Sequence, residues 1–313
     1  MFALTADAST REYFRVLWNG GTAVACVYPE PFKKEEQTYL DVSRLFESNG
    51  LPVAEIYDFD EDLGVIVQED LGDVLLRDVL LSARPEDRER LIDDAIRLIA
   101  RIQGATQNAH DRDSVASKLK FDVEKLSWEL DFFQAHYFGT LKNELLDPAL
   151  KDRLNAEFLE LSGELESRAT VLCHRDFHAA NLMVDREGRL RIIDHQDARI
   201  GTTSYDLVSL LLDRITEPPP AEWLAEKRRS LTHFRLELGL NDLEQSALAR
   251  EFRLQTIQRC LKAAGTFSFQ AANRGKTHFI PFIRPMFAIA LRAAQNLDQF
   301  PTLRSVISNE IQS

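Results

Sequence analysis

The sequence predicts an α+β fold of two lobes, a small β-rich lobe at the N-terminus and a larger helical lobe after it. Runs of aromatic and β-branched residues punctuated by turn signals are concentrated in residues 1–70. From residue 74 onward a helical apolar period dominates. The chain has 313 residues, 44% of them hydrophobic and 28% charged, which suits a globular protein able to bury a core in each of two lobes.

Taken in order, Tyr13–Leu17 and Thr22–Tyr28 are two such runs, and the intervening Asn19-Gly20-Gly21 predicts a hairpin. Residues 34–48 follow with apolar positions at Tyr39, Leu40, Val42, Leu45 and Phe46, a helical spacing that Asn49-Gly50 should close. Strands are expected near Ile56–Phe59 and Gly64–Gln68, and residues 69–73 (Glu-Asp-Leu-Gly-Asp) break the pattern as a hinge. The expected boundary places an N-terminal lobe at 1–70 and a C-terminal lobe at 74–313. In the second lobe helices are expected near 74–82, 86–109, 122–138, 148–168, 205–214, 221–238, 243–272 and 284–298. One hairpin interrupts them: Leu182–Val184 and Leu190–Ile193 flank Asp185-Arg186-Glu187-Gly188.

The formal charge of −12 argues against a general nucleic-acid binder, which needs a basic face to displace phosphate counterions. Cys26, Cys173 and Cys260 have no C-x-x-C spacing and suit reduced thiols rather than disulfides or zinc. The opening MFALTADAST has no signal-peptide pattern, and no apolar run reaches membrane-spanning length. A cytoplasmic protein, monomer or homodimer, with no membrane or nucleic-acid partner is expected.

The stretch with chemical content is His174-Arg175-Asp176-Phe177-His178-Ala179-Ala180-Asn181, followed by the hairpin and Ile193-Asp194-His195-Gln196-Asp197. Phosphoryl transfer from ATP needs a carboxylate to orient the acceptor hydroxyl and oxygen ligands to hold Mg²⁺ against the phosphates. The H-R-D-x-x-x-x-N spacing offers Asp176 for the first task and Asn181 for the second. The hairpin then returns Asp194 as a further metal carboxylate. His178 and His195 lack zinc-site spacing.

These residues resemble the protein-kinase-like superfamily, and within it the aminoglycoside phosphotransferase and choline kinase branch, where I-D-x-x-D replaces D-F-G. The resemblance narrows through residues 7–16 (DASTREYFRV), 67–73 (VQEDLGD), 194–201 (DHQDARIG), 205–211 (YDLVSLL) and 258–267 (QRCLKAAGTF) to the bacterial anomeric kinases of N-acetylmuramate and N-acetylglucosamine. It implies a bilobal protein-kinase-like fold, ATP and Mg²⁺ as cofactors, and a sugar or amino-sugar acceptor phosphorylated at C1. It also implies Asp176 as catalytic base, Asn181 and Asp194 as metal ligands, and Glu69 to Leu71 as the adenine-facing hinge. An aminoglycoside or choline-like acceptor and a non-catalytic pseudokinase are the competing readings.

The nucleotide side departs from the usual kinase pattern. No G-x-G-x-x-G is present, and Ser9 and Thr10 stand in the corresponding turn as hydroxyl donors. The strand Ala23-Val24-Ala25-Cys26-Val27-Tyr28 carries no lysine, so Arg15, Lys33 or Lys34 is expected to replace it. On the acceptor side Asp197, Arg199, Arg253, Arg259 and Lys262 are candidates, together with the aromatic stripe Trp128, Phe132, Phe133 and Tyr137.

Overall fold

A computed structural model describes residues 2–4 and 11–312. In chain order the strands and α-helices are β1 (Phe2–Leu4), β2 (Glu12–Trp18), β3 (Gly21–Val27), α1 (Thr38–Ser48), β4 (Ile56–Asp60), β5 (Val65–Glu69), α2 (Leu76–Ser82) and α3 (Pro85–Gly104). Then come α4 (Thr106–Asp111), α5 (Val115–Lys118), α6 (Val123–Gln134), α7 (Pro148–Arg168), β6 (Val171–Cys173), β7 (Leu182–Val184), β8 (Leu190–Ile192) and β9 (Arg199–Gly201). The last are α8 (Tyr205–Leu212), α9 (Ala221–Glu237), α10 (Gln245–Arg274), α11 (Ile283–Gln295) and α12 (Pro301–Gln312).

Among the described residues the N-terminal lobe is one antiparallel sheet in the order β1-β2-β3-β5-β4. The β2–β3 register runs from Glu12↔Val27 to Trp18↔Gly21. Asn19 and Gly20 both take positive φ (46° and 84°), the conformation that lets a two-residue turn follow the right-handed twist of its strands. The expected helix at 34–48 begins only at Thr38. Lys33 to Gln37 form turns, closed by Glu36 N–H to Lys33 O (3.0 Å), and the Gln37 side chain then caps Tyr39 N–H.

α1 has two apolar faces with different destinations. Tyr39 and Leu40 pack with Ile66 in a small core of the N-terminal lobe. Val42, Leu45 and Phe46 enter the main core of the helical lobe. The lobes are further stitched by Ile192 N–H to Pro52 O (2.9 Å) and by Arg191, which pairs with Glu69 through Nη1 (2.9 Å) and Nη2. Burial of Leu45 and Phe46, both 0% exposed, is worth on the order of 2 kcal/mol each.

In the helical lobe, the expected helix at 86–109 breaks at Ala105. Thr106 Oγ1 donates to Gln103 O (2.6 Å) and accepts Leu172 N–H (2.9 Å), which turns the chain toward β6. The expected 122–138 helix stays α-helical to Gln134 and continues as a π-helix over Ala135–Leu141. The β6–β9 pairing and α12 lie outside the sequence expectation; β6 and β9 are too short to show a period.

α10 crosses α6 with backbone in contact, because Gly265 presents no side chain. A Cβ there would lie 2.6 Å from Phe133 Cα. Gly265→Ala improves helix propensity, yet the clash is with main chain that cannot rotate away. A net loss of about 1–3 kcal/mol in unfolding free energy by urea titration is expected, and an unchanged midpoint would refute this account of the crossing.

Candidate active site

The segment from His174 to Asn181 is held by a carboxylate outside it. Asp206, fully buried in the first turn of α8, accepts His174 N–H through Oδ2 (2.7 Å) and Arg175 N–H through Oδ1 (3.1 Å). Arg175 is thereby kept at φ 86°, a left-handed conformation unusual for a side-chain-bearing residue. His174 contributes a third tie, its Nε2 lying 2.9 Å from Ile193 O. The reversal at Arg175 sends Asp176 out at the end of the segment.

The hairpin β7–β8 brings the other oxygen donors back. Ile193 N–H donates to Asn181 O (3.2 Å), and Asn181 Nδ2 donates to Asp176 O (3.0 Å) while lying 3.4 Å from Asp194 Oδ2. Asp194 is itself at φ 60°. Asp176, Asn181 and Asp194 are therefore neighbours, as the spacing of the sequence predicts. Among the described residues no cluster of three or more His, Cys, Asp or Glu forms a protein-only metal cage. Two hard oxygen donors side by side fit Mg²⁺, which binds through one or two protein ligands and takes the rest from phosphate and water.

Asp176 sits among cations. Arg259 Nη1 and Lys262 Nζ lie 3.8 and 3.7 Å from its Oδ1, and Arg175 Nε lies 3.7 Å from Oδ2. Burial pushes the carboxyl up, but Lys262, Arg259 and Arg175 outweigh it and hold Asp176 well below the usual carboxylate range. So strongly stabilised a carboxylate is a weak proton acceptor and a good hydrogen-bond acceptor, suited to orienting a hydroxyl. Arg259 is fastened by Tyr205 Oη (2.8 Å) and Arg175 O (3.2 Å). Lys262 also faces Glu129, 3.7 Å away, and Gln258 Nε2 donates to that carboxylate (2.7 Å).

The acceptor-side candidates divide. Asp197 pairs with Arg175 (2.8 Å), and Arg199 donates through Nε to Asp197 O (3.1 Å), with its guanidinium over the Phe121 ring. Arg199, Arg259 and Lys262 thus join the charged cluster around Asp176 and Asp197. Arg253 does not; it faces a separate cavity between α9, α10 and α11. In the aromatic stripe Phe133 and Tyr137 are core, whereas Trp128 is 55% exposed and carries Lys125 above its ring at 4.1 Å. The sequence reading missed Lys125 and Glu129, whose only local signal is their four-residue spacing on α6.

On the nucleotide side Ser9 and Thr10 lie outside the described residues. Arg15 is turned to the linker: its guanidinium donates to Asp70 (2.7 and 2.9 Å), to Asp73 (3.0 and 2.9 Å) and to Gly72 O (3.3 Å). Lys33 pairs with Glu36 on the surface, and Lys34 covers Phe59. None of these three expected lysine substitutes is placed at Asp194. The N-terminal-lobe cation that does reach it is Arg11, whose Nη2 lies 3.6 Å from Asp194 Oδ1. The tyrosines Tyr13 and Tyr28 flank its guanidinium at 5.9 and 5.8 Å. The sequence reading named Arg15, Lys33 and Lys34 for this charge, and the cation at Asp194 is instead Arg11, the residue just before β2. Of the linker residues expected at the adenine edge, Leu71 is buried and Glu69 is paired with Arg191.

Comparison with known proteins shows the family and the fold. A protein from Neisseria meningitidis named N-acetylmuramate/N-acetylglucosamine kinase is 31% identical over 309 residues, covering 92% of this chain and 83% of its own. One of the same name from Pseudomonas putida is 25% identical over 290 residues, covering 91% and 81%. Among solved structures, a Plasmodium vivax ethanolamine kinase matches with a TM-score of 0.58 at 14% identity, covering 97% of this chain and 83% of that one. A Streptococcus pneumoniae choline kinase matches with 0.55 at 12% identity, covering 94% and 92%. These two share the bilobal protein-kinase-like fold. The family model for the phosphotransferase enzyme family matches residues 3–239, and the chain belongs to that family.

Proposed function

We propose that the protein is an ATP- and Mg²⁺-dependent sugar kinase that phosphorylates the anomeric C1 hydroxyl of N-acetylmuramate or N-acetylglucosamine. One observation carries the choice of acceptor: around Asp176 the cations Lys125, Arg175, Arg199, Arg259 and Lys262 outnumber the carboxylates Glu129, Asp176 and Asp197. Burial pushes the Lys125 ammonium down; Glu129 opposes this, while Arg175, Arg199 and Lys262 repel the charge further. In a chain of charge −12 such a local surplus suits the carboxylate of N-acetylmuramate, is compatible with the neutral N-acetylglucosamine and repels a polycationic aminoglycoside. The names of the two relatives support the same acceptor class.

In this reading Asp176 accepts a hydrogen bond from the C1 hydroxyl and aims its oxygen at the γ-phosphorus. The new bond joins sugar oxygen to phosphorus, the bond from γ-phosphorus to the bridging oxygen breaks, ADP leaves, and the hydroxyl proton, acidified as its oxygen bonds phosphorus, passes late to Asp176 and from there to water. The hemiacetal hydroxyl is more acidic than an ordinary alcohol, so orientation can suffice where a strong base is lacking. Asn181 and Asp194 would hold Mg²⁺, which supplies charge neutralisation at the β- and γ-phosphate oxygens. Arg11 takes the place of the strand lysine, and residues 69–73 act as the hinge beneath the adenine.

The test is ATP consumption over a panel of N-acetylmuramate, N-acetylglucosamine, glucose, choline and kanamycin. Turnover of the two amino sugars is expected, with loss of reducing-end reactivity in the product placing the phosphate at C1. Turnover of kanamycin or choline alone would overturn the proposal, as would none with any acceptor. In the same assay Arg11→Met should raise KM for ATP about tenfold or more, the loss of one charge-assisted phosphate contact, and leave KM for the sugar unchanged.

A further inference from the structure

A second basic site lies away from the catalytic cluster. α9, α10 and α11 line a solvent-open cavity of about 110 Å³ whose lining includes Arg228, Arg253 and Arg292, one from each helix. No acidic residue lines it. None of its lining residues is among the partners of Asp176.

Arginines drawn partly out of solvent are ordinarily paired, since burying an uncompensated charge is costly. Among the described residues no carboxylate forms an ion pair with any of these three. Arg228 lies over the Phe252 ring at 5.1 Å, and Arg292 donates through Nη1 to Pro219 O (2.8 Å). Burial pushes the Arg228 guanidinium down, and its charged neighbours Arg253 and Arg229 push it further the same way.

A second feature points to the same ligand charge. Ala221 and Leu224, in the first turn of the seventeen-residue α9, line the cavity too. The N-cap there is Pro220, which makes no side-chain capping bond. The end of a helix with uncapped N–H groups carries partial positive charge. Three planar guanidinium forks and a helix N-terminus suit a phosphate, whose oxygens accept paired N–H donors. The volume holds a phosphate group with a small substituent and is below that of pockets for drug-sized ligands.

We propose that this cavity between α9, α10 and α11 is a binding site for a small phosphate-bearing anion, separate from the nucleotide and acceptor sites. Its occupant is inorganic phosphate or the phosphate of a small ester, and Arg228 and Arg253 are the principal ligands.

The test is isothermal titration calorimetry on the full chain, with the catalytic cleft filled by MgADP and ionic strength held constant. Inorganic phosphate, pyrophosphate and glucose 1-phosphate are the probes. At least one should bind saturably, with Kd of about 1 mM or tighter. Arg253→Met should weaken that binding about tenfold, the loss of one guanidinium–phosphate contact, and Arg228→Met/Arg253→Met should abolish it. The kinase activity without added phosphate should be unchanged in both variants. Saturation by inorganic phosphate identifies the free ion as sufficient, and saturation by glucose 1-phosphate alone identifies an ester. Absence of saturable binding by all three probes would overturn the proposal, as would equal affinity in wild type and Arg253→Met. If the double variant fails to fold, Arg253→Met decides alone, because its side chain makes no hydrogen bond or ion pair that would be lost.

Discussion

Asp176→Asn is expected to lower kcat by about 10²- to 10⁴-fold, the range for a positioned acid–base group, with KM for ATP within about twofold. The carboxylate does two things that an amide cannot. In the proposed arrangement it accepts the hydrogen bond of the acceptor hydroxyl and, late in the transfer, its proton, and it balances Arg175, Arg259 and Lys262, all within 3.8 Å. With Asn the three cations face a neutral group, and the sugar hydroxyl loses the charged acceptor that turns it toward phosphorus. ATP contacts reside elsewhere, on Arg11, Asn181 and Asp194 in the proposed arrangement, so nucleotide affinity should survive. Single-turnover kinetics with saturating ATP isolate the chemical step. A variant retaining more than about a tenth of wild-type kcat would remove Asp176 from the orienting role, given the magnitude such groups contribute.

Asp206→Ala should be the most destabilising single change near the site, at about 3 kcal/mol, typical of breaking a buried charged hydrogen-bond network. Asp206 is 0% exposed and reaches no substrate atom in the proposed arrangement. Burial pushes its carboxyl up against the pull of His174 and of the two backbone N–H groups it accepts. Truncation leaves those N–H groups unpaired in the interior and frees Arg175 from φ 86°. Asp206→Asn keeps one acceptor oxygen and should lose less, so the order is wild type, Asn, Ala. Urea unfolding followed by circular dichroism reads the stability, and kcat should fall with it because the direction of Asp176 depends on the Arg175 reversal. An alanine variant within about 0.5 kcal/mol of wild type would be the value of an ordinary surface change, and would show that the segment holds itself.

The candidate catalytic centre was legible because its parts are local. Asp176, Asn181 and Asp194 belong to one loop and one hairpin, so short-range turn chemistry and strand period determine where they meet. The β2–β3 hairpin was legible for the same reason, since Asn19 and Gly20 accept the left-handed turn themselves. The charges around that centre were less so. Arg11 comes from just before β2, Lys125 and Glu129 from α6, Arg259 and Lys262 from α10. In one dimension an arginine that reaches a carboxylate is indistinguishable from one that faces solvent. Arg15 and Arg253 illustrate this: both were plausible ligands, and packing sends one to the linker and the other to a remote cavity.

By itself, then, the amino-acid sequence determined the two-lobe α+β plan, the phosphotransferase motif and the meeting of its candidate oxygen donors, because each is written in contiguous residues with a fixed period or spacing. Tertiary structure alone decided which cations surround Asp176 and which cation of the N-terminal lobe reaches Asp194. It also decided that α1 divides its apolar residues between two cores and that Gly265 lets α10 lie against α6. These depend on the crossing of helices far apart in the chain, where burial and close approach, not local propensity, choose the neighbours.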